Sequence, residues 1–133
     1  MRTVFFRKGF ALKDADWVGR VFTSVDAMDV ETFLSFFEDD GQFQFGNAPA
    51  VTGKEAIGRT VDGFFKSIVG LRHEILETWF EAEAVISRGD ATYTRTDGSE
   101  IKLPFVTVWK LGGERIREYL IYMDINPLFS AAS

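Results

Sequence analysis

The apolar residues of this chain change their spacing near residue 70, and that change restricts the fold more than any other feature. Upstream they recur at steps of three and four, the period of a helix that buries one face. In "DADWVGRVFTSVDAMD" the stripe is Trp17, Val18, Val21, Phe22 and Val25, with Asp14 or Asp16 placed to cap it. In "DVETFLSFFEDD" Asp29 caps a shorter stripe of Val30, Phe33, Leu34 and Phe37. "TGKEAIGRTVDGFFKSI" opens with Thr52 and Glu55 at capping-box spacing and carries Ile57, Val61, Phe64, Phe65 and Ile68 on one side. Downstream the period is two, punctuated by turn signals at Arg88-Gly89-Asp90, Asp97-Gly98 and Gly112-Gly113. Strands are predicted over 73–87, 91–96, 101–111 and 115–124, with a short extra strand at 42–45. Helices followed by a run of strands define an α+β fold, three N-terminal helices packed on one face of a curved, mainly antiparallel sheet.

The 133 residues suit one domain, 1–133, with residues 1–12 as an N-terminal arm. Hydrophobic residues make up 46% and include 14 Phe, which calls for a large core, an apolar cavity, a buried interface or several of these. The net charge is -5, and no Lys/Arg run exceeds the pair Arg7-Lys8, so nothing would neutralise a row of phosphates and no nucleic-acid partner is expected. The absence of cysteine excludes thiolate catalysis and disulfides and suits the cytoplasm, the location expected. No stretch approaches the ~18 apolar residues of a membrane span, so no membrane partner is expected either.

Familiar catalytic motifs are missing. "GNAPAVTGKE" departs from a phosphate loop, because six residues separate Gly46 from Gly53-Lys54 and Glu55 stands where a magnesium-holding hydroxyl belongs; it reads as a helix start. One histidine without thiols argues against a metal site, and Glu38-Asp39-Asp40 reads as a solvated helix end. What remains is a set of polar residues on otherwise apolar strands: His73, Arg95, Asp97, Glu118, Tyr122 and Asp124. Alternation on the last strand puts Ile116, Glu118, Leu120, Tyr122 and Asp124 on one face and Arg117, Tyr119, Ile121 and Met123 on the other. Both faces are largely apolar, so both are expected to be covered, one by helices and one by a second subunit. A homodimer through Phe105, Thr107, Trp109, Tyr119, Ile121 and Met123 is the expectation.

The segments "DAMDVETFLSFFEDDGQFQF", "VTGKEAIG", "GDATYTRTDGSEIKLPFVTVWKL" and "RIREYLIYMD" together resemble the nuclear-transport-factor-2-like superfamily, in particular its SnoaL-like and ketosteroid-isomerase-like branch. The resemblance runs over about residues 14–129 and implies a cone-shaped, cystatin-like fold enclosing a deep, mostly apolar pocket. It covers isomerases, cyclases, hydrolases, dehydratases and non-catalytic binders, so it is weaker for function than for fold. The positions that carry ketosteroid isomerisation fall on Val21, Phe45 and Val106, which argues against that apparatus. The water-holding set of limonene-epoxide hydrolase is matched by Arg95, Asp97 and Asp124, while its Tyr and Asn become Phe43 and Phe45. Asp97 is either a pocket residue or the first turn residue of "TDGS".

Within that pocket the resemblance implies Asp124 as a proton-transfer carboxylate with Arg95 or His73 as its orienting partner. Asp124 could instead cap its own strand end, and His73 could be structural. Ligand contacts are expected from Trp17, Val21, Phe43, Phe45, Phe64, Tyr93, Val106, Val108, Glu118, Leu120 and Tyr122. The function so implied is acid/base chemistry on a small apolar substrate, by isomerisation, cyclisation or hydrolysis, without metal or organic cofactor. The alternative is a non-catalytic ligand-binding or dimerisation module of the same fold.

Overall fold

The computed structural model describes residues 14–130, so the expected arm at 1–12 lies outside the described residues. Helix α1 spans Ala15–Asp26, and its cap is Asp14, whose carboxylate accepts the Trp17 N–H at 3.0 Å. Helix α2 spans Val30–Ser35, where Asp29 accepts both the N–H and the hydroxyl of Thr32 at 3.1 and 2.7 Å. Such caps are each worth about 1 kcal/mol. Strand β1 follows at Phe37–Phe45, so Phe37 starts a strand rather than ending a helix, though it is fully buried either way.

A short strand β2 (Val51–Thr52) leads into helix α3, Lys54–Lys66. The capping box expected from Thr52 does not form. Thr52 is paired with Gln42 in the sheet, and Gly53, with φ +91°, occupies the cap position that a β-branched residue would not adopt.

Four long strands complete the sheet: β3 (Gly70–Phe80), β4 (Ala84–Thr94), β5 (Glu100–Gly112) and β6 (Arg115–Tyr122), followed by one turn of helix, α4 (Asn126–Phe129). The strand order is β2-β1-β6-β5-β4-β3, antiparallel except that β1 runs parallel to β6. The first hairpin turns at residues 81–83, and Arg88-Gly89-Asp90 lies inside β4, so the predicted boundary between two strands there is corrected. The glycine serves a different purpose. It sits opposite an irregularity between Ile75 and Glu77, and a Cβ on it would overlap the Glu74 carbonyl oxygen. The Asp97-Gly98 signal, in contrast, is a real turn, with Gly98 at φ +90° and Asp97 accepting the Ser99 N–H at 2.9 Å.

The helices cover the sheet face that holds Tyr93, Phe105, Trp109 and Tyr119, all at most 4% exposed. Trp109 packs edge-on against Trp17 and Phe22 at 5.3 Å, and Phe33, Phe37, Phe43 and Tyr119 form a second aromatic group. This reverses the expected parity. Phe105, Thr107, Trp109, Tyr119, Ile121 and Met123 belong to the inner face and cannot make an interface on the outer one. Val106, Val108, Glu118, Leu120 and Tyr122 lie on the opposite face, where Val106 pairs with Tyr122 and Val108 with Leu120. Tyr119, Ile121 and Met123 are together more apolar than Glu118, Tyr122 and Asp124, and burial of the greasier set decides the register.

Candidate active site

Between the helices and the inner sheet face lies a cavity of about 50 Å³. Its walls are aromatic, with Phe33, Phe43, Phe45, Phe64 and Phe105 prominent, and its polar groups are few: His73, Tyr93, Thr107, Tyr119 and Thr60. The expected ligand contacts Phe43, Phe45, Phe64 and Tyr93 are among the lining residues. Trp17 and Val21 are packed in the core beside it, and Val106, Val108, Glu118, Leu120 and Tyr122 are turned away from it by the register described above.

The most polar feature of the wall is His73. Its Nδ1 lies 2.6 Å from Oδ1 of Asp26, and its main-chain N–H donates to Oδ2 of the same carboxylate at 3.1 Å. Asp26 is the last residue of α1 and His73 stands near the start of β3, so the pair ties that helix to that strand. The imidazole is 10% exposed and sits between the rings of Phe22 and Phe105, with centroids at 4.9 and 5.1 Å. A carboxylate opposite Nδ1 holds the proton of a neutral imidazole there, which leaves the Nε2 lone pair free. That is the form of a general base.

Two phenols share the cavity. Burial pushes Tyr93 well above the ordinary tyrosine range, and the Asp26 carboxylate pushes it further in the same direction. Burial raises Tyr119 likewise, opposed by the neighbouring Trp109 indole and reinforced by Tyr93 and Asp26. Both hydroxyls therefore favour the protonated form, in which each has a proton available to donate. Among the described residues the Tyr93 O–H donates to the thioether of Met123 alone, at 3.5 Å, a weak acceptor that a ligand oxygen would displace.

The other expected site residues are not assembled with His73. Asp124 is exposed, and its Oδ1 accepts the Asn126 N–H at 3.0 Å, the turn role of the two alternatives. Arg95 donates to the carbonyls of Leu128 at 2.9 Å and Pro127 at 3.0 Å and to the Ser99 hydroxyl at 3.1 Å, which makes it a clamp on α4 and not a partner of Asp124. Asp97 is bonded to Ser99 at the hairpin tip. The hydrolase-like set Arg95, Asp97 and Asp124 thus does not meet around the cavity.

Among the polar lining and supporting residues, sequence reasoning missed Asp26 and Thr60 and placed Thr107 and Tyr119 on the outer face, as it did the apolar lining residues Phe105, Ile121 and Met123. A signal for Asp26 existed, since Val18, Phe22 and position 26 follow one another at steps of four and an acid there interrupts a buried stripe. Among the described residues no group of three or more His, Cys, Asp or Glu could hold a metal ion, and no helix is long and apolar enough to cross a membrane.

An α+β sheet that wraps a helix-covered apolar cavity defines a pocket protein of the cystatin-like class. The SnoaL-like domain family matches residues 18–119, and the chain belongs to that family. No curated protein matches the sequence. Solved structures share the fold at low identity. A protein from Jannaschia sp. CCS1 described as a SnoaL-like polyketide cyclase is 17% identical with a TM-score of 0.76, over 87% of this chain and 88% of that one. A protein of ketosteroid isomerase-like fold from Catenulispora acidiphila DSM 44928 is 15% identical with a TM-score of 0.75, over 83% and 86%. An LEH-like epoxide hydrolase from M. tuberculosis is 14% identical with a TM-score of 0.70, over 84% and 83%.

Proposed function

We propose that this protein is an acid/base enzyme acting on a small, ring-bearing carbonyl compound, with His73 as the proton-transfer residue and Asp26 as the group that fixes its tautomer. The observation that carries this reading is the 2.6 Å contact between Nδ1 and Asp26 on an imidazole that lines an apolar cavity. In the step envisaged, Nε2 removes a proton from the carbon next to the carbonyl and the electron pair moves onto oxygen. The Tyr93 hydroxyl donates to that oxygen. Return of the proton from Nε2 to another carbon gives an isomer, and a neutral phenol in a dry pocket is well placed to favour the enolate-like stage.

The reading is supported, for fold only, by the cyclase-like and hydrolase-like neighbours. A second reading, a non-catalytic binding module, is favoured by the small size of the cavity and by the apolar residues Val21, Phe45 and Val106 at the isomerase positions. The two are separated by incubating small cyclic ketones in deuterated water and following loss of their α-hydrogens by NMR. Exchange above the buffer rate that disappears in His73→Gln supports the enzyme. Exchange no faster than buffer for ketones that bind supports the binder and removes His73 from catalysis.

The reading includes a homodimer, moved to the face that is actually open. Ile86, Val108 and Leu120 form a cross-strand row there, next to Val106 and Tyr122, and Tyr122 is 58% exposed. A second copy would cover this row, and a cysteine-free chain suits the cytoplasm.

A further inference from the structure

Next to the cavity is a second hollow, a groove of about 610 Å³ at the ends of β1 and β6. Its character differs from that of the cavity, because Asn47, Asp124 and Asn126 line it and, among the described residues, no basic residue does. Phe45 and Met123 line both hollows, so these two residues form the boundary between them.

The sizes matter. The cavity alone, at about 50 Å³, is well below the ~300–1,000 Å³ of ordinary small-molecule sites. The groove alone is large enough but open, its wall mixed between Asn47, Asp124 and Asn126 and the apolar Phe45, Ala48, Met123 and Ile125. A ligand that uses both would have the volume such sites usually provide and an apolar end for the aromatic walls.

Of the two, Met123 is the more adaptable, since Phe45 packs against the rings of Phe43 and Phe64. Met123 is unbranched, with several rotatable bonds; it packs half-buried against the core, and among the described residues its one hydrogen bond is the long contact from the Tyr93 hydroxyl at 3.5 Å. A Met123 rotamer turned away from Tyr93 would free that hydroxyl and open the boundary between the two hollows. Asp124 has Oδ1 committed to the Asn126 N–H, while Oδ2 makes no hydrogen bond among the described residues.

We infer that the groove is a second subsite of the same site, and that the ligand is amphipathic: a compact ring in the cavity, and a tail carrying hydroxyl or ammonium donors that meets Asp124, Asn47 and Asn126. This rests on the reading of the cavity as the place where the ring sits. An anionic tail is disfavoured, since it would face the Asp124 carboxylate with no cation among the described lining residues to offset it.

The test uses the full chain, phenol, and a series of 4-(aminoalkyl)phenols of increasing tail length, with binding followed by calorimetry and by the ¹⁵N signals of His73. One tail length should bind about twofold to fivefold more tightly than phenol, the size expected of a solvent-exposed ion pair. The ratio of tailed to untailed affinity should fall to near one in Asp124→Asn and shrink with added salt. If phenol moves the His73 signals but no tail improves binding, or the improvement survives in Asp124→Asn, the subsite is overturned and the cavity reading stands. If phenol binds without moving the His73 signals, or does not bind, the cavity reading itself fails and takes the subsite with it.

Discussion

His73 and Asp26 are joined twice, by the imidazole Nδ1 at 2.6 Å and by the main-chain N–H at 3.1 Å, one to each carboxylate oxygen. The double attachment fixes the ring's position as well as its tautomer. A side chain held only through its imidazole could swing with the helix end; one whose own backbone is bonded to the same carboxylate cannot move independently of it.

The first prediction concerns that tautomer. His73 is the chain's one histidine, so its ring nitrogens can be observed by ¹⁵N NMR without assignment. At a pH where the ring is neutral, the proton should reside on Nδ1. In Asp26→Asn the amide carbonyl can take the backbone N–H, leaving the NH₂ group to face Nδ1 and drive the proton to Nε2. Turnover should then fall, as it should in His73→Gln, by about 10²–10⁴-fold. An unchanged tautomer in Asp26→Asn would show that the carboxylate does not control the ring.

Arg95 provides a contrasting case. It donates to two carbonyls of the α4 segment and holds Leu128, 3% exposed, against the core. Arg95→Ala should lower stability by roughly 1.5–3 kcal/mol, the usual worth of hydrogen bonds made by a charged group. Lys should restore little of it, because one ammonium cannot span the guanidinium's geometry. The check is chemical denaturation together with the His73 ¹⁵N spectrum, which should not change. Normal stability with lost turnover would instead return Arg95 to the chemistry.

The sequence's change of period near residue 70 reveals the α+β order because helical and strand stripes differ in spacing and need no tertiary information. Strand parity is harder. On β6 both sets of alternate residues are largely apolar, and a single acid, Asp124, is a poor guide to the inner face when the strand ends in a turn that the acid itself serves. Gly89 misleads for a related reason, since a glycine needed for close backbone approach looks like one needed for a turn. Asp26 and His73 are 47 residues apart, and only the packing of α1 on β3 brings them together.

Buried phenols predict an alkaline limit. Tyr93 and Tyr119 both have pKa values raised above that of free tyrosine, with burial the largest cause. A raised folded-state value favours the neutral form, so its stabilising contribution is complete below about pH 10, where the unfolded chain's tyrosines ionise, and is lost as pH rises through the folded values. Tyrosinate absorbance from these two residues should therefore appear only in step with loss of near-ultraviolet circular dichroism. Reversible ionisation of all three tyrosines with the fold intact would contradict their burial.

Gly89 and Gly112 make a matched pair. A Cβ on either would collide, but with different kinds of atom: the Glu74 carbonyl at Gly89, and the end of the Glu38 side chain at Gly112. Backbone in a paired strand cannot give way, whereas a carboxylate on a flexible stem can. Gly89→Ala should cost about 1–3 kcal/mol or more, as overpacked positions do, and Gly112→Ala less than about 0.5 kcal/mol. Urea midpoints at equal slope would measure both. Equal midpoints would mean that the bulge in β3 yields freely.

The corrected sheet parity separates two substitutions that alternation alone would treat alike. Trp109 is fully buried between Trp17, Phe22 and Tyr119, and loss of such an aromatic already costs about 3–5 kcal/mol. A glutamate there would also bury an unpaired charge, so Trp109→Glu should leave no soluble folded protein. Val108 points the other way, level with Ile86 and Leu120 on the open face. Val108→Glu should keep the circular dichroism of the parent chain and change only its association, giving a monomer in place of the dimer proposed for the parent chain. A folded Val108→Glu dimer would remove this face from the interface, and a folded Trp109→Glu monomer would reverse the assignment of inner and outer faces.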